Sequence, residues 1–190
     1  GHHVWPSREG ELASGLSGAG RMAEPEFMHR QLELFFGASS FWFGKTMLLT
    51  SGPTEEALDP VRFITNGSSG KMGEALAAEA ELRGATVHWA RGPLRRADRT
   101  WTERVQVVSV RSAAEMHAAA LQALPGAAVV IAAAAVADVR PSAPRAEKTP
   151  KEALSASLPL EPTQDILAAL VAAKQPCQYL LGLGPGTHHA

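Results

Sequence analysis

The sequence predicts an α/β domain in which helices cover both faces of a mostly parallel β-sheet. From residue 46 onward, segments with strand character alternate with segments whose apolar residues recur at helical spacing, which is typical of this class. Residues 129–131 form a continuous apolar run that favours a strand buried on both faces. Ser112 and Glu115 have the spacing of a capping box, so a helix is expected to start near residue 113.

The elements follow in order along the chain, and each has a local signal. Residues 1–25 have the glycine, serine and proline content of irregular structure, and 26–36 have the apolar spacing of a short amphipathic helix. A linker at 38–44 precedes a strand at 46–50. A helix at 71–83 follows, and Gly84 ends it. The remaining predicted elements are strands at 86–90, 105–110, 128–134 and 178–183 and helices at 113–124 and 165–173.

Composition bounds the class of protein. With 190 residues and 45% hydrophobic content, the chain is long enough for one ordinary domain and an appendage. A formal net charge of −1 provides no general attraction for nucleic acid or acidic membranes. No apolar run reaches the roughly 18 residues of a membrane span. We therefore expect neither nucleic acid nor membrane as a partner.

Cysteine and histidine usage argues against a metal centre. Cys177 is the single cysteine, which excludes an internal disulfide and fits a reducing cytoplasm. Its position before the last strand favours a small, half-buried residue over a nucleophile. The seven histidines show no metal-ligand spacing. The sequence thus predicts a cytoplasmic protein without a metal site of its own.

The loop between the first strand and the first helix has the composition of an anion-binding site. Residues 59–73 read DPVRFITNGSSGKMG, and the unpaired N–H groups of Ser68, Ser69 and Gly70 at the helix start favour a phosphate or carboxylate. A Walker A loop is excluded, because Thr65 stands in place of its first glycine and Met72 in place of its hydroxyl residue. Residues 51–55 likewise lack the dinucleotide-binding G-x-G-x-x-G spacing.

A second long loop follows the buried strand. Residues 139–158 bear prolines and charges, and long loops inside compact domains are more often functional than decorative. Ligands of open α/β sheets bind at the carboxyl ends of the strands. Residues 52–71 and 134–151 both follow strands, so we expect them to flank one crevice.

Five segments, in order, carry a resemblance to a known family. They are TSGPTE at 50–55 with the loop at 59–73, AAAAVADVRP at 132–141, EKTPK at 147–151, LEPTQDIL at 160–167 and YLLG at 179–182. Together they resemble the ligase domain of the bifunctional coenzyme A biosynthesis flavoprotein, phosphopantothenoylcysteine decarboxylase/phosphopantothenate–cysteine ligase. The resemblance implies a Rossmann-like, three-layer αβα fold for residues 45–190.

The N-terminal segment resembles a different part of the same family. GELASG at 10–15 and GAGRMAEP at 18–25 are similar to the closing segment of the flavin-dependent decarboxylase domain, which makes Ser14, Arg21 and Met22 remnants of that tail. Ser14 stands where the family often has a cysteine. FMN would bind in the decarboxylase body, so none is expected here. We expect residues 1–37 to pack loosely, or against a neighbouring copy of the chain, as a tail without its own domain.

The resemblance also implies a reaction. The family activates 4′-phosphopantothenate with CTP and Mg²⁺ as an acyl-cytidylate, and cysteine then displaces CMP. It implies catalytic roles for Asn66 and Lys148 and substrate binding by Arg62 and Asn66. Arg62 is expected to reach a substrate phosphate or a partner subunit. Two structural alternatives stay open: Asn66 as a turn residue before Gly67, and Arg62 in a surface salt bridge. A homodimer formed through the ligase domain is expected.

The implied nucleotide site draws on both loops. Its residues are Gly52, Ser68, Ser69, Gly70, Lys71, Ala134, Ala135, Asp138, Lys148 and Lys151. Structural interpretations without a nucleotide are helix capping for the serines, solvated surface positions for the lysines and packing between helix and sheet for the alanines. Asp138 is expected to contact a ribose or help to hold Mg²⁺.

The chain departs from the family pattern in two places. Pro150 interrupts the lysine cluster, and Gly186 stands where the fifth motif has an acidic residue. Family members also continue further, so the resemblance implies truncation at the C-terminus and a chain with little or no activity alone. The competing function is an inactive nucleotide-binding or oligomerisation remnant. A short-chain oxidoreductase does not fit, because Gln175 and Leu183 flank Tyr179 where that class needs a lysine.

Overall fold

The computed structural model describes residues 8–11, 17–21, 23–37, 41–94, 100–151 and 157–183. Ser14 and Met22, predicted as tail remnants, lie outside these ranges, and Arg21 ends a strand. The strands are β1 Arg8–Glu11, β2 Ser17–Arg21, β3 Thr46–Pro53, β4 Glu55–Ala57, β5 Phe63–Thr65, β6 Thr86–Arg91, β7 Val105–Ser109, β8 Val129–Ala135, β9 Val139–Pro141, β10 Leu160–Pro162 and β11 Tyr179–Gly182. The helices are α1 Pro25–Gly37, α2 Lys71–Leu82, α3 Ala113–Ala123 and α4 Ile166–Ala173.

A five-stranded parallel sheet forms the centre of the molecule, with the order β11-β8-β3-β6-β7. The chain first builds outward from β3 to β6 and β7. It then crosses back to add β8 and β11 on the other side of β3. Strand order therefore reverses between β3 and β8, which is the topological switch point where α/β sheets bind ligands. The predicted α/β fold is confirmed.

Alternate residues of each strand supply two separate cores, because side chains of a strand point to opposite faces. Leu49 and Trp89 pack with the α2 face, in one cluster with Ala77. Leu48 and Val130 pack with α3 and α4 on the opposite face, in a cluster that includes Met116, Ile166 and Leu170. The apolar run of β8 thus faces helices on both sides, as its sequence predicts.

Three short antiparallel ladders do not follow from the sequence pattern. β1 pairs with β2 inside the segment predicted to be irregular, because backbone pairing overrides a glycine-rich composition with low strand propensity. β4 pairs with β5, and β9 pairs with β10. The last ladder closes the base of the long loop predicted at 139–158. Cys177 is exposed rather than half-buried, because it lies in the turn before β11.

Helix α1 packs against α2, so the prediction that residues 1–37 pack loosely is wrong for this helix. The Arg30 guanidinium pairs with the Glu81 carboxylate, whose side chain is 1% exposed. The N–H and Oγ1 of Thr102 also donate to Glu81, at 2.9 and 2.6 Å. A buried carboxylate needs such partners, since leaving it unpaired is costly. Within the described ranges no helix has the length and apolar character to cross a membrane.

The ends of β3 and β6 approach each other so closely that Gly92 tolerates no side chain. A Cβ at Gly92 would lie 1.8 Å from the Pro53 carbonyl oxygen, and the Gly92 N–H donates to the Ser51 carbonyl at 2.9 Å. We expect Gly92→Ala to lower the free energy of unfolding by about 1–3 kcal/mol, because two backbone segments must separate. Urea unfolding measures this loss. Gly126→Ala is the matched control, since a Cβ there has no atom within 4 Å, and equal losses in both variants would contradict the prediction.

Candidate functional site

A crevice of about 430 Å³ opens at the carboxyl ends of β3, β8 and β11, beside the start of α4. Its volume lies within the usual range of about 300–1,000 Å³ for small-molecule sites. The lining residues are Thr50, Ala132, Ala134, Val136, Ala137, Asp138, Thr163, Gln164, Asp165, Ile166, Leu167, Gly182 and Leu183. Small side chains from β8 form one wall, and polar groups from the following segments form the rim.

The alternation of β8 decides which predicted alanine reaches the crevice. Ala132 and Ala134 line it, whereas Ala133 packs with the α2 face. Ala135 lies on the same face of β8 as Ala133 and is not among the residues that line the crevice, and its part in the nucleotide site stays a prediction. Its carbonyl oxygen instead accepts hydrogen bonds from the Thr54 N–H at 3.3 Å and from Asn66.

Asn66 lies at the switch point itself. Its Nδ2 donates to the carbonyl oxygens of Ala135 at 3.2 Å and Val136 at 2.9 Å, across 69 and 70 residues of sequence. Asp138 follows two residues later, is exposed and lines the crevice. The two loops predicted to flank one crevice therefore meet at the end of β8. Whether Asn66 and Asp138 contact substrate stays a prediction.

The start of α2 is tied within its own loop. Gly70 caps the helix with φ of 69°, and a Cβ there would lie 2.3 Å from Leu94 Cδ2 and 3.7 Å from Gly52 Cα. The Gly70 N–H donates to Ser68 Oγ at 3.3 Å, and the Ser68 N–H donates to the Asn66 carbonyl at 2.8 Å. Two N–H groups that were predicted to be unpaired, those of Ser68 and Gly70, are thus bonded within the loop. Ser69 and Lys71 are exposed beside them.

Residues 145–151 contain Lys148 and Lys151 and are called the lysine-bearing loop. Thr149 anchors this loop and is buried, at 4% exposed. Its N–H donates to Asp59 Oδ2 at 3.2 Å. Its carbonyl accepts from Arg62 Nη2 at 3.1 Å, and its Oγ1 accepts from Arg145 Nη1 at 3.3 Å. The nearby Lys148 and Lys151 are exposed and are not among the lining residues of the crevice. Arg62 Nη1 also pairs with Asp59 Oδ2 at 3.2 Å, and because the Asp59 side chain is buried this is an internal ion pair rather than a surface salt bridge. Substrate binding by Arg62 stays a prediction.

Sequence reasoning missed several polar residues of the crevice. Asp165 caps α4 through a hydrogen bond from the Ala168 N–H to its Oδ1 at 2.8 Å. Thr163 Oγ1 donates to the Ala137 carbonyl at 2.5 Å, and Thr54 Oγ1 accepts from the Ala137 N–H at 2.9 Å. An aspartate directly before an apolar helix is an N-cap signal that could have identified Asp165. The threonine contacts span too much sequence for any local signal.

The Asp59 carboxylate is held in its charged form. Burial raises its pKa, but hydrogen bonds from the N–H groups of Val61, Arg62 and Thr149, together with the Arg62 charge, leave the pKa below its ordinary value of 3.8. A group whose pKa is lower in the folded chain stabilises the fold above its unfolded pKa of about 3.9, and this stabilisation is lost as pH falls through the folded pKa.

We therefore expect Asp59→Asn to lower the free energy of unfolding at pH 7. The difference from the unsubstituted chain should narrow as pH falls below about 4, where Asp59 becomes protonated first in the unfolded chain and, at lower pH, in the folded chain. Urea unfolding at several pH values measures both effects. Glu103→Gln removes the same charge from an exposed position and is the control. A difference that stays constant down to pH 3 would contradict the assignment.

Comparisons with known proteins agree with this architecture. Residues 42–190 match the family described as DNA/pantothenate metabolism flavoprotein C-terminal domain. The chain is 41% identical over 186 residues to a cysteine/cysteine sulfinic acid decarboxylase from an unknown prokaryotic organism, covering 96% of this chain and 51% of that protein. It is 39% identical over 189 residues to the coenzyme A biosynthesis bifunctional protein CoaBC of Vibrio cholerae, covering 98% of this chain and 46% of that protein.

A solved structure is similar as well. The crystal structure of the C-terminal domain of coenzyme A biosynthesis bifunctional protein CoaBC superposes with a TM-score of 0.62 at 41% identity. The similarity covers 75% of this chain and 65% of that chain. The chain spans about half the length of the relatives it matches. Since the family match covers most of its residues, this chain belongs to the DNA/pantothenate metabolism flavoprotein C-terminal domain family.

Proposed function

We propose that this chain is the ligase part of a coenzyme A biosynthesis protein and joins cysteine to 4′-phosphopantothenate with CTP. The observation that carries the proposal is the crevice at the switch point, with Asn66 bonded across the end of β8 and Asp138 on the rim. The 39% identity to CoaBC of Vibrio cholerae supports it. The alternative of an inactive nucleotide-binding remnant predicts the same crevice without turnover.

The distribution of charge orients the nucleotide in this proposal. The small wall formed by Ala132 and Ala134 admits a base, and Asp138 accepts hydrogen bonds from a ribose. The triphosphate then points away from the rim carboxylates towards Ser69 and Lys71, which are exposed at the positive end of α2. Lys148 and Lys151 supply further positive charge.

The reaction requires positioning more than covalent help from the protein. A carboxylate oxygen of 4′-phosphopantothenate attacks the α-phosphorus of CTP, and pyrophosphate leaves. The cysteine amine then attacks the acyl carbon of the acyl-cytidylate, loses a proton to solvent, and CMP leaves. In this proposal Asn66 orients the acyl group, and the lysines neutralise phosphate charge.

A magnesium ion fits this site only together with the nucleotide. Among the residues that the structure describes, no three metal-ligating side chains cluster. Mg²⁺ is commonly held by one or two carboxylates plus substrate phosphates, and Asp138 is an exposed carboxylate on the crevice. Mg²⁺ would therefore arrive on the phosphates of CTP and neutralise their charge, and Asp138 would be its protein ligand only in place of the ribose contact.

Pyrophosphate release tests the proposed function in a full-length protein that contains this chain. We expect release that requires both CTP and 4′-phosphopantothenate, and cysteine-dependent formation of CMP and phosphopantothenoylcysteine by mass spectrometry. CTP binding without release would favour the inactive remnant. Release of CO₂ from cysteine sulfinic acid, with no response to CTP, would instead favour the activity named for the other relative. Sedimentation of the same protein tests the proposed homodimer.

A further inference from the structure

Asp59 connects two segments that the sequence separates by 90 residues. Its side chain is fully buried. The Oδ1 atom accepts from the N–H groups of Val61 at 2.9 Å and Arg62 at 2.8 Å, within its own turn. The Oδ2 atom accepts from the Thr149 N–H at 3.2 Å and from Arg62 Nη1 at 3.2 Å. One carboxylate therefore organises the turn after β4 and also holds the lysine-bearing loop.

The lysine-bearing loop is fastened to this turn at a second point. The Arg145 N–H donates to the Leu58 carbonyl at 2.9 Å, next to Asp59 in sequence. Thr149 is buried while Lys148 and Lys151 are exposed. The backbone at Thr149 is thus fixed, and the neighbouring lysines project from a fixed base.

The same turn leads to Asn66. Arg62 is followed by β5, which pairs with β4, and Asn66 comes directly after β5. Thr65 Oγ1 donates to the Thr54 carbonyl at 2.7 Å, which ties the end of β5 back to the end of β3. The backbone of β5 and these hydrogen bonds together therefore connect Asn66 at the switch point through Arg62 and Asp59 to Thr149.

We propose that Asp59 is a positioning residue that holds the lysine-bearing loop against the segment carrying Asn66, so that Lys148 and Lys151 reach the nucleotide next to the acyl group that Asn66 orients. The proposal rests on the proposed ligase function. Arg62 takes part in the same connection, because its guanidinium donates to both the Asp59 carboxylate and the Thr149 carbonyl. We call the hydrogen bonds among Asp59, Arg62 and Thr149 the lock. A neutral amide at position 59 cannot accept all four of these hydrogen bonds.

Trypsin cleavage after Lys148 tests the lock without requiring catalysis. We expect Asp59→Asn in the full-length protein to accelerate cleavage at Lys148 about tenfold or more, since local opening exposes the backbone to proteases. Glu81→Gln is the matched control, because it also neutralises a buried carboxylate, but one that is bonded by Arg30 and Thr102 and not by the lysine-bearing loop. Equal cleavage rates for Asp59→Asn and the unsubstituted protein would overturn the lock.

Steady-state kinetics test its consequence for the reaction. We expect Asp59→Asn to lower kcat/KM for CTP by roughly ten- to a hundredfold, because misplaced charge loses transition-state stabilisation, while Glu81→Gln leaves it within about threefold. Lys148→Ala should cost much less in the Asp59→Asn background than alone, since coupled residues are not additive. The positioning role would be overturned if the effects of Asp59→Asn and Lys148→Ala on kcat/KM were fully additive, or if Asp59→Asn left kcat/KM unchanged. A protein that shows the trypsin effect but no pyrophosphate release at all refutes the proposed function and leaves the lock intact.

Discussion

Replacing Asn66 by aspartate in a full-length protein that contains this chain is expected to slow ligation by about two to three orders of magnitude. The Nδ2 group of Asn66 donates to the carbonyl oxygens of Ala135 and Val136. Aspartate would place a carboxylate oxygen against both carbonyls, and the repulsion would turn this side chain away from the end of β8. The developing acyl group would also meet a negative charge in place of a neutral amide.

Two measurements separate this effect from a loss of nucleotide binding. Calorimetry should show a CTP dissociation constant within about threefold of the unsubstituted value, because the proposed phosphate and ribose contacts come from other residues. Gly67→Ala is the control in the same loop, since a Cβ there has no atom within 4 Å and its φ is not positive. Unchanged steady-state ligation by Asn66→Asp would falsify the catalytic role of Asn66.

Arg30→Met should lower the free energy of unfolding by about 3 kcal/mol, because it leaves a buried carboxylate without its cation. Glu81 is 1% exposed and Arg30 is 21% exposed. The donors of Thr102 remain, which places the expected loss at the lower end of the range for broken buried pairs. For a chain of this size, the midpoint of thermal unfolding should fall by about 6–12 °C.

An exposed ion pair at the end of α2 provides the matched control for Arg30→Met. Arg83 Nε and Glu79 Oε1 are 2.6 Å apart, but the two side chains are 50% and 52% exposed. Arg83→Met should therefore cost no more than about 1 kcal/mol. Urea unfolding followed by circular dichroism compares the two variants. If both variants lose the same small amount of free energy of unfolding, α1 is not held to α2 by a buried ion pair.

Local signals in the sequence were sufficient for the sheet strands and the helices around them. The capping box at Ser112 and Glu115 is present, and the helix begins at Ala113 as predicted. Such features depend on residues within one or two helical turns, or on strict alternation along a strand, so one sequence contains them. The ladder of β1 and β2 was missed because its composition resembles that of a loop.

The candidate site was predictable only as far as its loops. Parallel strands bring their carboxyl ends to one edge, which is why residues 52–71 and 134–151 were expected to meet. Which side chains of β8 line the crevice was not predictable. Ala134 lines it and Ala135 does not, and this depends on the register of the strand in the sheet.

The sequence by itself determined that this chain builds a parallel α/β sheet with two polar loops at its carboxyl edge, because periodicity and capping act between near neighbours. Only the tertiary structure decided which distant groups meet. Asn66 bonds the end of β8, Asp59 holds Thr149, and Arg30 neutralises Glu81, in each case across more than 50 residues. These contacts depend on strand order and on which groups become buried together, where an unpaired charge or donor is costly.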